Sequence, residues 1–177
     1  MMRALLLWSA LLVPVLSGCA VNLPPAMLMP RTVDAVPEAV TRSAFTTEPV
    51  TLEERKVERY LSAENFRIAL DETLKRANLF GTDAATPYRL RAHVLEASFP
   101  GWGFTMASTL HVRYVLETPD GKPVLDHVVQ YEGEATVCER LLGASRARLA
   151  LQRTQQGHFL LLLERLKLAL RSEAPPK

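Results

Sequence analysis

Apolar and polar residues alternate through the middle of the chain in three blocks, each with the period of two that marks a half-buried strand. The blocks cover residues 88–96, 106–117 and 124–135. In the first block the apolar set changes phase after Val94, which predicts a bulge between Val94 and Leu95. Only short links separate the blocks, so we expect them to pair as an antiparallel meander.

Two other stretches have helical periodicity. From Ser62, a good capping residue, to Ala77, apolar residues recur every three or four positions, and Gly81 follows as a candidate stop signal. The second helix is predicted over residues 144–171, which contain no proline and one glycine, Gly157. Its leucine-rich second half carries more apolar surface than one packed stripe needs, so its own sheet or another chain must cover it.

The order of these elements predicts the fold class. We expect an α+β domain over residues 50–171, with an antiparallel three- to four-stranded meander and two helices packed on one face. Residues 172–177 are predicted to be a disordered tail. The proline-rich stretch 19–49 is predicted to be a tether, with one first strand between Val33 and Phe45.

Arg3, near the start of the chain, is followed by a short apolar run, a pattern typical of a secretory signal peptide. The run is too short to span a bilayer as a stable anchor. This run ends in Leu16-Ser17-Gly18-Cys19, which resembles the bacterial lipobox. The resemblance implies that residues 1–18 are removed and that Cys19 carries the acyl chains, palmitate among them. Because Ala20 rather than aspartate follows, it also favours the outer membrane, facing the periplasm, over the inner membrane.

The charge and the cysteine content limit the kinds of partner and the thiol chemistry that the chain can have. Loss of Arg3 with the signal lowers the basic residues from 21 to 20, against 19 acidic ones, so no electrostatic case for nucleic acid follows. Once Cys19 carries lipid, Cys138 is the one remaining thiol. We expect it to be a small buried residue, with a catalytic or mixed-disulfide role as the alternative.

Motifs for catalysis and metal binding are missing from the sequence. It contains no Gly-x-Ser-x-Gly, no His-Glu-x-x-His and no glycine-rich phosphate loop. His93, His111 and His127 fall in predicted strands and could share one sheet face. No carboxylate or thiol is placed to complete such a site, so we expect neither a metal nor another cofactor.

Candidate binding residues occur in two places. Trp102 and Phe104 lie beside glycines at the tip of the first predicted hairpin, where exposed aromatic residues are typical recognition anchors. The alternative is that they pack back under the sheet. Arg146 and Arg153, in the basic half of the last helix, could bind phosphate or acidic lipid groups, or could lie on an ordinary solvated face.

A second resemblance depends on several short segments, namely 66–70, 88–96, 103–105, 110–116 and 142–146. Together they resemble small Gram-negative lipoproteins of the YajG-like group. The order of elements is also similar to the LPS-assembly lipoprotein LptE and to auxiliary lipoproteins of ABC-type lipid transporters. These resemblances imply a non-catalytic, membrane-anchored module whose partner is an envelope protein complex or a lipid.

Some similar chains bear an acyltransferase name, which gives the alternative of an enzyme acting on envelope lipid or glycan. The known UDP-N-acetylglucosamine acyltransferases are left-handed β-helices built from hexapeptide repeats, and this sequence has no such repeat.

Overall fold

The computed structural model describes residues 23–36, 45–53, 55–58, 61–79, 87–99, 101 and 103–173. In chain order its elements are α1 (Pro25–Leu28), β1 (Phe45–Thr47), β2 (Thr51–Leu52), α2 (Arg55–Glu58), α3 (Ala63–Arg76), β3 (Tyr88–Ser98), β4 (Thr105–Glu117), β5 (Pro123–Thr136) and α4 (Gly143–Glu173).

The three long strands form the predicted meander. β3 pairs antiparallel with β4, and β4 pairs antiparallel with β5, so the α+β prediction is confirmed. The register of the first pair shifts between Val94 and Glu96, where the change of apolar phase predicted a bulge. Gly121 closes the second hairpin with φ 80°, and its N–H donates to the carbonyl of Thr118 at 2.9 Å.

The sheet is not antiparallel throughout. β1 and β2 both pair parallel to β3, with Phe45 opposite Tyr88 and Thr51 opposite His93. The reason is the connection, because α3 lies between these short strands and β3 and lets the chain return in the same direction. The first strand lies at the end of the predicted stretch 33–45. Residues 33–36 are not a strand, and 37–44 lie outside the described residues.

α3 begins as predicted, since the Ser62 hydroxyl accepts the Asn65 N–H at 3.3 Å. The prediction that Gly81 ends this helix is wrong. The helix ends at Arg76, and Asn78, with φ 58°, supplies the left-handed residue just after it. Asparagine can do this because its short polar side chain tolerates the left-handed region better than most.

α4 packs very closely on β5. A Cβ added at Gly133 would lie 2.4 Å from the Thr154 backbone nitrogen and 2.8 Å from the Ala150 carbonyl oxygen. A Cβ at Gly157 would in the same way meet the ring of Tyr131. Because glycine has no side chain, these two positions allow the helix and the sheet to approach this closely.

One apolar core lies between the sheet and the helices. It joins Phe66 and Leu70 of α3 and Phe159 and Leu166 of α4 to the inner face of the sheet, where Tyr114 is the largest buried side chain. Most of the leucine-rich half of α4 is covered by this core, with only Leu160 and Leu168 substantially exposed. Within the described part of the chain, no helix is both long enough and apolar enough to span a bilayer.

The described part of the predicted tether packs against the domain. Leu23, Leu28 and Val36 are buried in the core, and α1 contacts both α3 and α4. The physical reason is that these apolar residues are spaced among the prolines and can enter the groove beside α3. The predicted tail differs at its start, because α4 continues through residues 172 and 173; residues 174–177 lie outside the described part.

Candidate functional site

Three large apolar side chains are exposed at one end of the sheet. Phe104, just before β4, is 86% exposed, and Leu141 and Leu142, just before α4, are 84% and 73% exposed. These three side chains are called the apolar tip below. Full burial of a side chain of this size contributes about 1.5 to 3 kcal/mol, so the tip is a strong candidate for a contact surface.

Arg146 holds the two halves of the apolar tip together. Its guanidinium donates to the carbonyl oxygens of Arg140 at 3.0 Å, Leu141 at 2.7 Å and Gly103 at 3.1 Å. The residue is only 8% exposed, and its buried Nε has no hydrogen-bond partner among the described residues, so the three bonds to main-chain carbonyls hold the guanidinium in place. The structure therefore places this predicted binding residue beneath the tip as a brace.

Arg153, seven residues after Arg146 in α4, makes a second brace. It pairs with the carboxylate of Glu139, with Nη1 at 3.0 Å, and donates to the carbonyl of Glu134 at 2.7 Å. The hydrogen bond from Arg153, together with the Thr136 N–H, lowers the pKa of Glu139 to about 2. The link between β5 and α4, which carries both tip leucines, is thus clamped at two points.

Three other predicted residues have different outcomes. Cys138 is exposed in the link between β5 and α4, so the expectation of a small buried residue is wrong. It is exposed because β5 ends at Thr136 and the residues after it turn outward toward α4. Trp102 and Cys19 lie outside the described residues, and their predicted roles in binding and lipidation stay predictions.

In the part of the chain that the structure describes, no helix covers the outer face of the sheet, which is lined by charged residues that pair across strands. Arg113 pairs with Asp126 through two hydrogen bonds of 2.7 and 2.6 Å, and this contact lowers the pKa of Asp126. Arg91 forms a second cross-strand ion pair, with Glu117. The opposite charges on this face compensate each other, so few charges are left to bind a charged ligand. The apolar tip is the better contact surface, because its side chains are available to an apolar ligand.

The three strand histidines do not share one face, an arrangement that the sequence had left open. His93 lies opposite Arg113 on the outer face, and His111 lies opposite Glu96 on the same face. His127 lies opposite Tyr114, whose side chain points into the core. Among the described residues, no group of three histidine, cysteine or acidic side chains could hold a metal ion.

A hydroxyl and an imidazole meet beside a cavity at the other edge of the sheet. Thr51 Oγ1 is hydrogen-bonded to His93 Nδ1 across the parallel β2–β3 pair. The cavity has a volume of about 330 Å³, and Glu53 and Arg113 also line it. A hydroxyl next to a base is the first requirement of nucleophilic catalysis, so this pair is the described feature that most resembles an active site.

The fourth histidine is part of the core. His158 Nε2 lies 3.0 Å from the Tyr114 hydroxyl, and the ring also contacts Phe66 and Phe159. Burial lowers the pKa of His158 to about 3 and raises that of Tyr114, so both are neutral at ordinary pH. This pair fixes the position of α4 on the sheet and has no access to solvent.

Comparison with known proteins shows the fold. No protein-family model and no curated protein matches the chain. Among solved structures, protein XCC0632 from Xanthomonas campestris, of the family DUF330, is 8% identical, with 80% of this chain and 94% of that one covered and a TM-score of 0.61. Protein CT253 from Chlamydia trachomatis is 9% identical, over 73% and 98% of the two chains, with a TM-score of 0.52.

A weaker match is the rare lipoprotein B from Shewanella oneidensis, 11% identical over 72% of this chain and 96% of that one, with a TM-score of 0.42. The two stronger matches show that this α+β fold recurs in bacterial proteins of very different sequence.

Proposed function

We propose that this chain is a non-catalytic lipoprotein, held in the outer membrane through Cys19, that acts as a binding module in assembly, maintenance or lipid transport of the cell envelope. The observation that carries the proposal is the apolar tip, three exposed side chains on a rigid support. The lipobox supports the anchoring, and the resemblance to envelope lipoproteins supports the setting.

The support beneath the tip favours binding over chance exposure. A loop that merely happened to expose leucines would not need a buried guanidinium and an ion pair to fix it. Fixing a contact surface in advance lowers the entropy cost of binding. The two arginines that the sequence offered as ligand contacts serve the tip in this way.

The experiment is co-purification of the intact lipoprotein after crosslinking in cells, with bound proteins and lipids identified by mass spectrometry. The test variant replaces Phe104, Leu141 and Leu142 by serine. The matched control replaces Leu160 and Leu168, exposed leucines of α4 outside the tip, by serine. We expect the control to retain the partner and the test variant to lose it, whereas equal capture by both would remove the tip from the proposal.

The second candidate function is an enzyme acting on envelope lipid or glycan, and the Thr51–His93 pair beside its cavity favours it. Complementation of a deletion strain separates the two functions. The binding proposal expects full activity from Thr51→Val, His93→Ala and Cys138→Ala. Loss of complementation by the first two, with the protein still folded and anchored, would support the enzyme instead.

A further inference from the structure

The first described residues join the domain on the half that carries the apolar tip. Asn65, in the first turn of α3, donates its side-chain N–H to the carbonyl of Leu23 at 3.2 Å. Leu61, just before α3, lines a small cavity together with Phe99 and Ser108, which lie near the tip ends of β3 and β4. Leu23 is therefore tied to the tip half through α3.

From Leu23 the chain runs away from the tip. Gln156 donates to the carbonyl of Met27 at 3.1 Å, and Lys167 donates to the carbonyl of Asp34 at 3.4 Å. Because a helix rises 1.5 Å per residue, these two α4 residues are about 16 Å apart along its axis. Since α4 starts at the tip, Leu23 is the tip-side end of this segment.

The chain between the anchor and the domain is short. Cys19 precedes Leu23 by four positions, so their Cα atoms are at most about 14 Å apart. Phe104 lies at a similar level of the domain. It is four residues, or about 13 Å along the strand, from Ser108, which lines the same small cavity as Leu61. Leu168, by contrast, is about 39 Å from Leu142 along α4, beyond what four residues can span.

Exposed positive charge flanks the tip. Arg140 and Arg148 are both exposed, and neither forms an ion pair with a described residue. Apolar side chains framed by exposed arginines suit a bilayer surface with anionic headgroups, where the apolar groups enter the acyl boundary and the cations remain among the phosphates.

We infer that the apolar tip inserts into the same anionic bilayer that holds the lipid on Cys19. The domain then sits with its tip in the membrane surface and with the C-terminal half of α4 directed away from it. This inference depends on the proposed lipidation and deepens it, since it names the bilayer as the partner of the tip.

The test uses the full lipidated chain, reconstituted in vesicles of phosphatidylethanolamine and phosphatidylglycerol. In a Cys138→Ser background, Leu142→Cys and the matched control Leu168→Cys each carry one environment-sensitive fluorophore. Spin-labelled lipids in the same vesicles quench a fluorophore that reaches the acyl boundary. We expect at least threefold stronger quenching at position 142 than at 168, and a loss of that difference when Phe104 and Leu141 are replaced by serine.

The outcomes separate the orientation from the anchoring. Protein that floats with the vesicles but shows equal quenching at both positions overturns the orientation and leaves the anchoring intact. A blue shift at position 142 without quenching by lipid means that a second copy or another protein covers the tip, which also overturns it. Protein that does not float overturns the proposed lipid anchor and this inference with it.

Discussion

The guanidinium of Arg146, in the first turn of α4, donates to the carbonyl oxygen of Gly103 in the β3–β4 hairpin at 3.1 Å. Together with the bond to the Leu141 carbonyl, it joins two loops about 40 residues apart in sequence, one that carries Phe104 and one that carries Leu141 and Leu142. The guanidinium of a helix arginine usually points into solvent. Here it binds three main-chain carbonyls instead, while the apolar side chains of the tip remain exposed.

Replacement of Arg146 by methionine should lower the free energy of unfolding by about 2 to 3 kcal/mol, because three charge-assisted hydrogen bonds are lost while the apolar stem is retained. The matched control is Arg148→Met on the exposed side of the same helix turn, for which a change within about 0.5 kcal/mol is expected. Urea unfolding monitored by circular dichroism measures both. Equal losses for the two variants would show that Arg146 is not a brace.

Gly133→Ala should destabilise the domain by more than about 2 kcal/mol, since the new methyl group would overlap the backbone of α4 and could fit only if the helix moved off the sheet. Gly101→Ala is the control, because a Cβ there meets nothing within 4 Å. Thermal unfolding compares the two alanine variants. A Gly133→Ala protein as stable as the control would mean that the helix can move away from β5 without cost.

Acid should destabilise the protein partly through His158. Its pKa is near 3 in the folded state and about 6.5 when unfolded, so the neutral ring is favoured in the core. Stability from this source is complete above pH 6.5 and falls as the pH drops toward 3, by up to about 1.4 kcal/mol per pH unit.

Two variants isolate that effect, namely Tyr114→Phe, which keeps the histidine, and the double variant with His158→Phe as well. Between pH 6.5 and pH 4 the single variant should lose up to about 3 kcal/mol more than the double variant, as measured by urea unfolding at each pH. Parallel pH profiles would show that His158 binds its proton equally well in both states.

The sequence predicted the parts of the fold whose residues repeat regularly. Eleven or more residues in each of β3, β4 and β5 give the alternation enough length to be read, and the phase change at Val94 located the bulge. β1 and β2 have three and two residues, too few to show any period, so their parallel pairing with β3 could not be predicted.

The site was predicted less completely, for a physical reason. Phe104 was identified because exposed aromatic residues at the tip of a hairpin are typical recognition anchors. The same logic applies to Leu141 and Leu142, two adjacent apolar residues in the link before a helix, and that signal was available. The role of Arg146 could not be predicted, because a helix arginine that binds distant carbonyls has the same local sequence as one that faces solvent.

The most direct test of the binding module is photo-crosslinking in living cells, with a photoreactive phenylalanine analogue at position 104 or, as the control, at position 168. Both positions are exposed, so a neighbouring molecule can reach the photoreactive group at either one. If the apolar tip is the contact surface, one defined lipid or protein adduct should form at position 104, several-fold above the control, and should persist in a Thr51→Val background. Equal adduct yields at the two positions would contradict it.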